Sequence, residues 1–372
     1  MEVKYARSFS DYIKIISELP DTCSNDYRQT EPEVLWFRGL DYGGHPLIPS
    51  LYRVAELVNT DSTDGENYLK LKYAEDLRTQ HYIAKNYHYY SKLPASRLEW
   101  LEVMQHHSVK TRVLDWSESA IHSLIFAVEA FLDANRYDNE KRKRQFPCVW
   151  VLKPQKLNSE CFNIILSNNV LQEKLISELQ LTKKELVIFN NKIKECKKFL
   201  KRNCSSKDNS KAIMSMKHLE NIVNLSSIND EINMNRNRLK QLIFNDEIFP
   251  LFYLLSRTYS DGIVVDDRTI PPLSVVHPFH SERIKAQKGV FTVFPFYKEQ
   301  TSKNEADTMF RNMKVDFNAM QYNIAAKNAL TKIELVNPEK IACELLSNGI
   351  NASWLYPELP IVSNEIETHK IY

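Results

Sequence analysis

Residues 156–246 constrain the fold more than any other part of the chain, because they contain no Trp, Tyr, Pro or Gly. Their richness in Lys, Asn, Glu and Leu favours helix. Apolar residues follow alternating spacings of four and three, a heptad pattern that is imperfect at Thr182. The pattern comprises Leu175, Leu179, Thr182, Leu186, Phe189, Ile193, Cys196 and Leu200, and then Ile228, Ile232, Asn235, Leu239 and Leu242. We predict an inserted, coiled-coil-like helical hairpin, either a packing arm or a contact for a protein partner or a second copy.

Short apolar runs on both sides of this insert predict the strands of a sheet. The runs are residues 34–37, 148–152, 262–265, 289–294 and 333–336. Helices are predicted at residues 8–19, 66–90, 96–107 and 118–133, with Ser117 as the N-cap of the last. The sequence therefore predicts an α+β fold, with a mixed or antiparallel sheet flanked by helices. Residues 1–155 and 247–372 form its core domain.

The bulk composition excludes several classes of protein. Seven Gly residues, with no Gly-x-Gly-x-x-Gly or Walker stretch, argue against a glycine-rich phosphate loop. A net charge of +2 does not indicate a nucleic-acid binder, although it leaves room for a local basic patch. No apolar run is long enough for a membrane span, and the first residues do not resemble a signal peptide. Six scattered Cys without a C-x-x-C pair indicate reduced thiols, so we expect a cytoplasmic protein without a metal site.

Arg38 is the first candidate binding residue, within Trp36-Phe37-Arg38-Gly39 at the predicted end of a buried strand. Its guanidinium is a planar fork that binds two oxygens of a phosphate or carboxylate together. Gly39 would leave the backbone open to a ligand. The alternative is a structural arginine paired with a carboxylate in the core.

A second group of polar residues is concentrated where the chain enters a buried helix. Its members are Gln105, His106, His107, Thr111, Arg112, Asp115 and Trp116. Buried polar groups need hydrogen-bond partners, so one interpretation is an internal network with an Arg112–Asp115 ion pair. The functional interpretation is that one imidazole faces the same cleft as Arg38. Adjacent helical positions diverge by about 100°, so one of His106 and His107 is predicted to point inward and the other outward.

Gln287 is the third candidate, because it leads into the apolar strand that contains Gly289 and Phe291. Its amide can donate and accept hydrogen bonds to a ribose or an amide, but it cannot act as a general base. The alternative is an amide that only caps the strand.

These stretches together resemble the FRG domain family, whose name comes from a Phe-Arg-Gly motif. The similar stretches are Phe37-Arg38-Gly39, Gln105-His106-His107-Ser108, Thr111-Arg112-Val113-Leu114-Asp115-Trp116, Gln287-Lys288-Gly289-Val290-Phe291-Thr292, and Gly349-Ile350 with Tyr356-Pro357-Glu358-Leu359. Ser108 stands where the family has Gly, and Val113 where it has Leu. The resemblance also implies that the protein acts as a toxin in bacterial anti-phage defence.

The aromatic-Arg-Gly motif is more remotely similar to the first motif of Arg-type ADP-ribosyltransferases. That resemblance implies that NAD is the substrate, that Arg38 holds its phosphate, and that ADP-ribosyl transfer or NAD glycohydrolysis follows. His106 or His107 would act as acid or base, and Gln287 would orient the substrate. Gln287 stands where those enzymes carry a catalytic Glu.

Two alternatives have other ligands. One is a non-catalytic module that binds a nucleotide or nucleic acid through Arg38, Arg53, Arg112 and Arg283. The other is an interaction protein that acts through residues 156–246.

Overall fold

The structure is a computed structural model that describes residues 1–19, 33–53, 66–90, 93–94, 97–132, 146–204, 236–246, 248–260, 264–265, 269–276, 282–297, 319–351 and 354–355. The described strands are β1 (Glu2–Ala6), β2 (Trp36–Leu40), β3 (Val113–Ser117), β4 (Cys148–Leu152), β5 (Val264–Val265), β6 (Leu273–Val275), β7 (Gly289–Val293), β8 (Phe296–Tyr297) and β9 (Leu330–Leu335). The described helices are α1 (Phe9–Glu18), α2 (Glu66–Asn86), α3 (Arg97–His106), α4 (Ala120–Leu132), α5 (Pro154–Ser167), α6 (Asn169–Leu179), α7 (Lys183–Cys204), α8 (Arg236–Asn245), α9 (Phe249–Leu255), α10 (Glu282–Ala286), α11 (Ile324–Asn328) and α12 (Pro338–Ser347).

Seven of these strands form one mixed sheet in the order β1-β9-β4-β2-β3-β7-β6. β1 and β9 run parallel, and the other neighbours are antiparallel. β5 and β8 form a separate parallel pair. The sheet and the helices around it confirm the predicted α+β fold.

β4 shows why the sheet is covered on both faces, because all five of its residues are buried. Trp150 joins an apolar cluster that includes residues of α3 and α5–α9. Val149 and Val151 join a second cluster with residues of α1, α4 and α12. Successive side chains of a strand point to opposite faces, so a continuous apolar run is expected for such a central strand.

β2 lies in the middle of the sheet and separates from one of its neighbours. It pairs with β4 at all five residues, but with β3 only at Phe37 and Ser117. From Arg38 onward, the two strands are no longer paired in the ladder. The prediction that Arg38 lies at a strand end is wrong, because Arg38 is the third of the five residues of β2.

Gly39 allows α4 to pack directly on β2. A Cβ atom at Gly39 would overlap the carbonyl oxygen of Ser123 and lie 2.8 Å from the backbone nitrogen of Ala127. The close approach of the helix therefore requires glycine here, whereas the sequence had suggested access for a ligand.

α4 begins later than predicted. Ser117 is the last residue of β3 and not an N-cap, and its Oγ accepts a hydrogen bond from the backbone N–H of Ser119 (3.0 Å). Ser119 Oγ accepts from the N–H of His122 (3.3 Å), so the first turn is capped by Ser119. None of the described helices has the length and apolarity needed to cross a membrane.

Most of the described heptad residues of the predicted insert face the protein core, but Leu186 is half-buried and Leu242 is exposed, with its neighbour Ile243 buried instead. Those buried are Leu175, Leu179, Phe189, Ile193, Cys196, Leu200 and Leu239, all in the cluster that contains Trp150. The helix is interrupted at the imperfect position, because Thr182 and Glu185 exchange hydrogen bonds (2.8 and 3.3 Å) that begin α7. The predicted turn, with Ile228 and Ile232, falls outside the described residues. The domain boundaries remain a prediction.

Candidate functional site

A cleft of about 280 Å³ is lined by residues of β2 and β3, at the place where these strands separate. β2 and α3 contribute Arg38, Gly39, Gln105 and His106 to its lining. β3, β7 and the turn before β7 contribute Asp115, Trp116, Gln287, Gly289 and Phe291. Three stretches that are distant in the sequence therefore meet around one cleft.

Arg38 extends from β2 towards β3. Its Nη1 donates to the carbonyl oxygen of Asp115 (2.6 Å) and lies 3.7 Å from the Oδ2 of the same residue. Its Nε is buried and has no hydrogen-bond partner among the described residues. Burial lowers the pKa of Arg38, and the negative charge of Asp115 opposes this effect. Nη1 is thus held by β3, whereas Nε is a buried donor that still lacks an acceptor among the described residues, in a side chain that lines the cleft.

Asp115 does not make Arg38 a purely structural residue. The side chain of Asp115 is 46% exposed. It is therefore not a core carboxylate, which an Arg38 with a purely structural role would require. Oδ2 of Asp115 also accepts a hydrogen bond from Nε2 of Gln105 (3.2 Å). The carboxylate therefore lies at the cleft surface, between a guanidinium and an amide.

Gln105 is oriented by hydroxyl groups beneath the cleft. Its Oε1 accepts hydrogen bonds from Thr111 Oγ1 (2.9 Å) and Ser50 Oγ (3.2 Å). These bonds direct the NH₂ group of Gln105 towards Asp115. Thr111 is fully buried and does not line the cleft, so the structure gives it a supporting position and not the predicted contact with substrate.

Arg112 also lies outside the cleft, which corrects its predicted role in binding. It is fully buried, and its Nε is 3.0 Å from Oε2 of Glu75, which is equally buried. Its Nη1 donates to the carbonyl of Phe294 (2.8 Å), and its Nη2 donates to the carbonyl of Tyr259. The predicted Arg112–Asp115 ion pair is wrong, because Glu75 of α2 is the carboxylate that Arg112 meets.

The two histidines diverge as predicted. His106 is half-buried and lines the cleft, whereas His107 is exposed and does not. Their ring centroids are 5.1 Å apart, and the ring of His107 lies 6.3 Å from that of Tyr82. The prediction that one imidazole points inward is confirmed, and His107 is not placed to act in the cleft.

Gln287 occupies the turn between α10 and β7. Its Nε2 donates to the carbonyl of Leu355 (3.1 Å), and its own carbonyl accepts from Ser117 Oγ (2.7 Å). Gln287 thus ties β7 to β3 and to the C-terminal part of the chain. It also lines the cleft. Its contacts therefore fit both predicted roles, an amide that caps the strand and an amide that meets a ligand.

With this geometry in place, the comparison with protein families identifies one part of the chain. Residues 33–136 match the FRG domain family. The resemblance deduced from the motifs is therefore confirmed for this segment. The FRG segment supplies Arg38, Gln105 and Asp115, whereas Gln287 and Phe291 reach the cleft from outside it. No curated protein and no solved structure shows significant similarity to the chain.

Five further lining residues were missed from the sequence. They are Phe37, Ser117, Ser123, Phe126 and Ile284. Ser117, Ser123, Phe126 and Ile284 lie in stretches whose sequence predicts packing or a helix. Phe37 is the member of the five that belongs to a motif suggesting function, the FRG motif. Ser123 stands out because its Oγ is buried and has no hydrogen-bond partner among the described residues.

The four-arginine phosphate patch is not assembled by the part of the chain that the structure describes. Arg112 is buried, and Arg53 donates through Nε and Nη2 to the carbonyl of Ile48 (3.1 and 2.8 Å). The side chain of Arg283 lies outside the described residues. The described residues also contain no group of three His, Cys, Asp or Glu that could hold a metal ion.

Proposed function

We propose that the cleft binds NAD and that the protein is a nucleotide-handling enzyme of the ADP-ribosyltransferase or NAD glycohydrolase type. The observation that carries the proposal is the Nε of Arg38, a buried donor without a hydrogen-bond partner among the described residues, in a side chain that lines the cleft. A guanidinium edge matches two oxygens of a phosphate, and Asp115 already holds the other side of the fork. The pyrophosphate of NAD supplies the oxygens that such a group recognises.

The rest of the lining suits the nicotinamide ring and the ribose attached to it. Trp116, Phe126 and Phe291 provide apolar and aromatic surface for a planar ring, and Ser123 offers a hydroxyl without a partner among the described residues. A cleft of about 280 Å³ is slightly smaller than most ligand pockets, which span roughly 300–1,000 Å³. It therefore suits one end of a dinucleotide, with the adenosine half outside.

His106 and Gln287 have different roles in this proposal. His106 lines the cleft and is the imidazole that can exchange a proton with the substrate or acceptor. Gln287 can orient the ribose or the carboxamide through its side-chain oxygen, but it cannot take a proton. Gly39 and Gly289 complete the walls.

The decisive experiment measures binding before turnover. Arg38→Ala and Arg38→Lys should weaken NAD and ADP-ribose binding, because neither retains a planar fork. Isothermal titration gives the affinities, and the ligand-induced rise of the unfolding temperature provides a second measure. Arg7→Lys is the matched control, because Arg7 is exposed and lies outside the cleft.

Release of nicotinamide separates an enzyme from a binding module. The purified protein is incubated with NAD, with and without candidate acceptors, and nicotinamide is quantified by chromatography. Release that depends on Arg38 supports the enzyme. NAD binding without release would instead favour a non-catalytic sensor, and absence of both would remove the proposal.

A role in anti-phage defence is part of the same proposal, and the resemblance to FRG proteins motivates it. We expect infected cells that express the wild-type chain to lose NAD or to carry ADP-ribosylated targets. Cells that express Arg38→Ala should show neither change. Equal phage growth with both chains would contradict the role in defence without affecting the chemistry.

A further inference from the structure

The cleft contains an acidic group that can take part in the reaction. Among the described residues of its lining, Asp115 carries the only carboxylate. Its side chain is 46% exposed at the cleft surface, although four of the five residues of the neighbouring strand β7 are buried. Its placement therefore differs from that of Glu75, the fully buried carboxylate paired with Arg112.

The contacts of Asp115 hold one oxygen and leave the other available. Oδ2 accepts from Nε2 of Gln105 at 3.2 Å and lies 3.7 Å from Nη1 of Arg38. Oδ1 has no hydrogen-bond partner among the described residues. A carboxylate held on one side by a hydrogen bond and an ion pair is positioned without being saturated, because each ionised oxygen accepts about two hydrogen bonds.

We infer that Asp115 is the catalytic carboxylate of this site, facing the anomeric carbon of the nicotinamide ribose. The inference rests on the proposed function, and it resolves the problem posed by Gln287. Positive charge develops on the ribose ring when the bond to nicotinamide breaks, and a fixed anion beside it lowers the barrier. Arg38 links the two halves of the site, since its Nη1 contacts Asp115 and its Nε lacks the acceptor that a phosphate oxygen of the substrate would supply.

The reaction balances with these groups and water alone. The bond between C1′ and the nicotinamide nitrogen breaks, and its electron pair leaves with nicotinamide, which becomes neutral. The oxygen of water, or of an acceptor hydroxyl, forms the new bond to C1′. Asp115 takes the proton of that nucleophile and later releases it to solvent. The products are nicotinamide, ADP-ribose or its adduct, and one proton.

Gln105 is the positioning residue for this carboxylate. Its amide oxygen is held by the hydroxyls of Thr111 and Ser50, so its NH₂ group has one orientation and meets Asp115. The chain of hydrogen bonds runs from a buried hydroxyl to the cleft surface. It explains why buried Thr111 belongs to the site without contacting the substrate.

Asp115→Asn is the primary test, because asparagine keeps the size and can still accept from Gln105. We expect the dissociation constant for NAD to change less than threefold, whereas kcat for nicotinamide release falls by about 10²-fold or more, the usual contribution of a positioned acid or base. Glu118→Gln is the control, because Glu118 is an exposed neighbour that does not line the cleft. Circular dichroism and the unfolding temperature of each variant establish that it is folded.

Chemical rescue distinguishes a catalytic from a structural carboxylate. Asp115→Ala leaves space in which added formate can replace the lost group. We expect formate to restore part of the nicotinamide release of this variant, and to leave Arg38→Ala unchanged. Turnover of Asp115→Asn within fivefold of wild type would overturn the inference while NAD binding and release stand. Absence of binding and release in the wild-type chain would remove both proposals.

Discussion

Replacement of Arg112 by methionine tests whether this residue supports the fold and not the ligand. Methionine keeps an unbranched apolar stem but ends before the guanidinium, whose carbon lies 4.9 Å from the ring centroid of Phe296. The substitution removes the ion pair with Glu75 and the donors for the carbonyls of Phe294 and Tyr259. Among the described residues, Glu75 then retains Arg97, whose Nη2 is 3.4 Å away, and the backbone N–H of residue 112 (3.1 Å).

The expected loss follows from an uncompensated charge in the core. Removal of one partner from a buried ion pair costs about 3–5 kcal/mol. Both side chains of this pair have 0% exposure, so solvent screening does not reduce the effect. Arg97 partly compensates Glu75, which places the expected loss for Arg112→Met near the lower value, about 3 kcal/mol. Glu75→Gln removes the counterion of Arg112 and should cost a similar amount.

Urea unfolding followed by tryptophan fluorescence measures these losses, and a double-mutant cycle measures the coupling between Arg112 and Glu75. Since the two residues share one network, the double variant should lose less than the sum of the single variants, by about 1–3 kcal/mol. Below its unfolding transition, Arg112→Met should bind NAD with unchanged affinity. A stable Arg112→Met variant with lost NAD binding would refute this assignment.

Three other variants follow from the same structure. Gly39→Ala should lose about 1–3 kcal/mol of stability, since its Cβ would meet the backbone of α4 at Ser123; an unchanged urea midpoint would show that α4 can move away. Ser108→Gly should gain about 1 kcal/mol, because Ser108 has a left-handed backbone (φ 62°) after α3; a lower midpoint would contradict this reasoning. His106→Ala should reduce nicotinamide release by about 10²-fold and His107→Ala should not, because only His106 lines the cleft; equal losses would mean that the histidines act together.

The sequence by itself predicted the elements with a strong local pattern. The apolar runs became β4 and β7, and the heptad residues Leu175 and Cys196 are buried as predicted. Such patterns record which side of an element faces the core, because burial of apolar surface drives their placement. The motifs also identified most of the cleft, since polar groups concentrated beside apolar runs need either partners or a ligand.

Tertiary structure decided which groups meet one another. Arg112 lies three residues from Asp115 but pairs with Glu75, and Gly39 serves the close approach of α4. Neither fact has a local signature, because local spacing does not specify the element on the opposite side. The separation of β2 from β3 beyond Phe37 also has no local signature. There Arg38 contacts Asp115 through Nη1, and its Nε has no partner among the described residues. The sequence determined that Arg38 belongs to a polar site, and the split in the sheet decided what that site can bind.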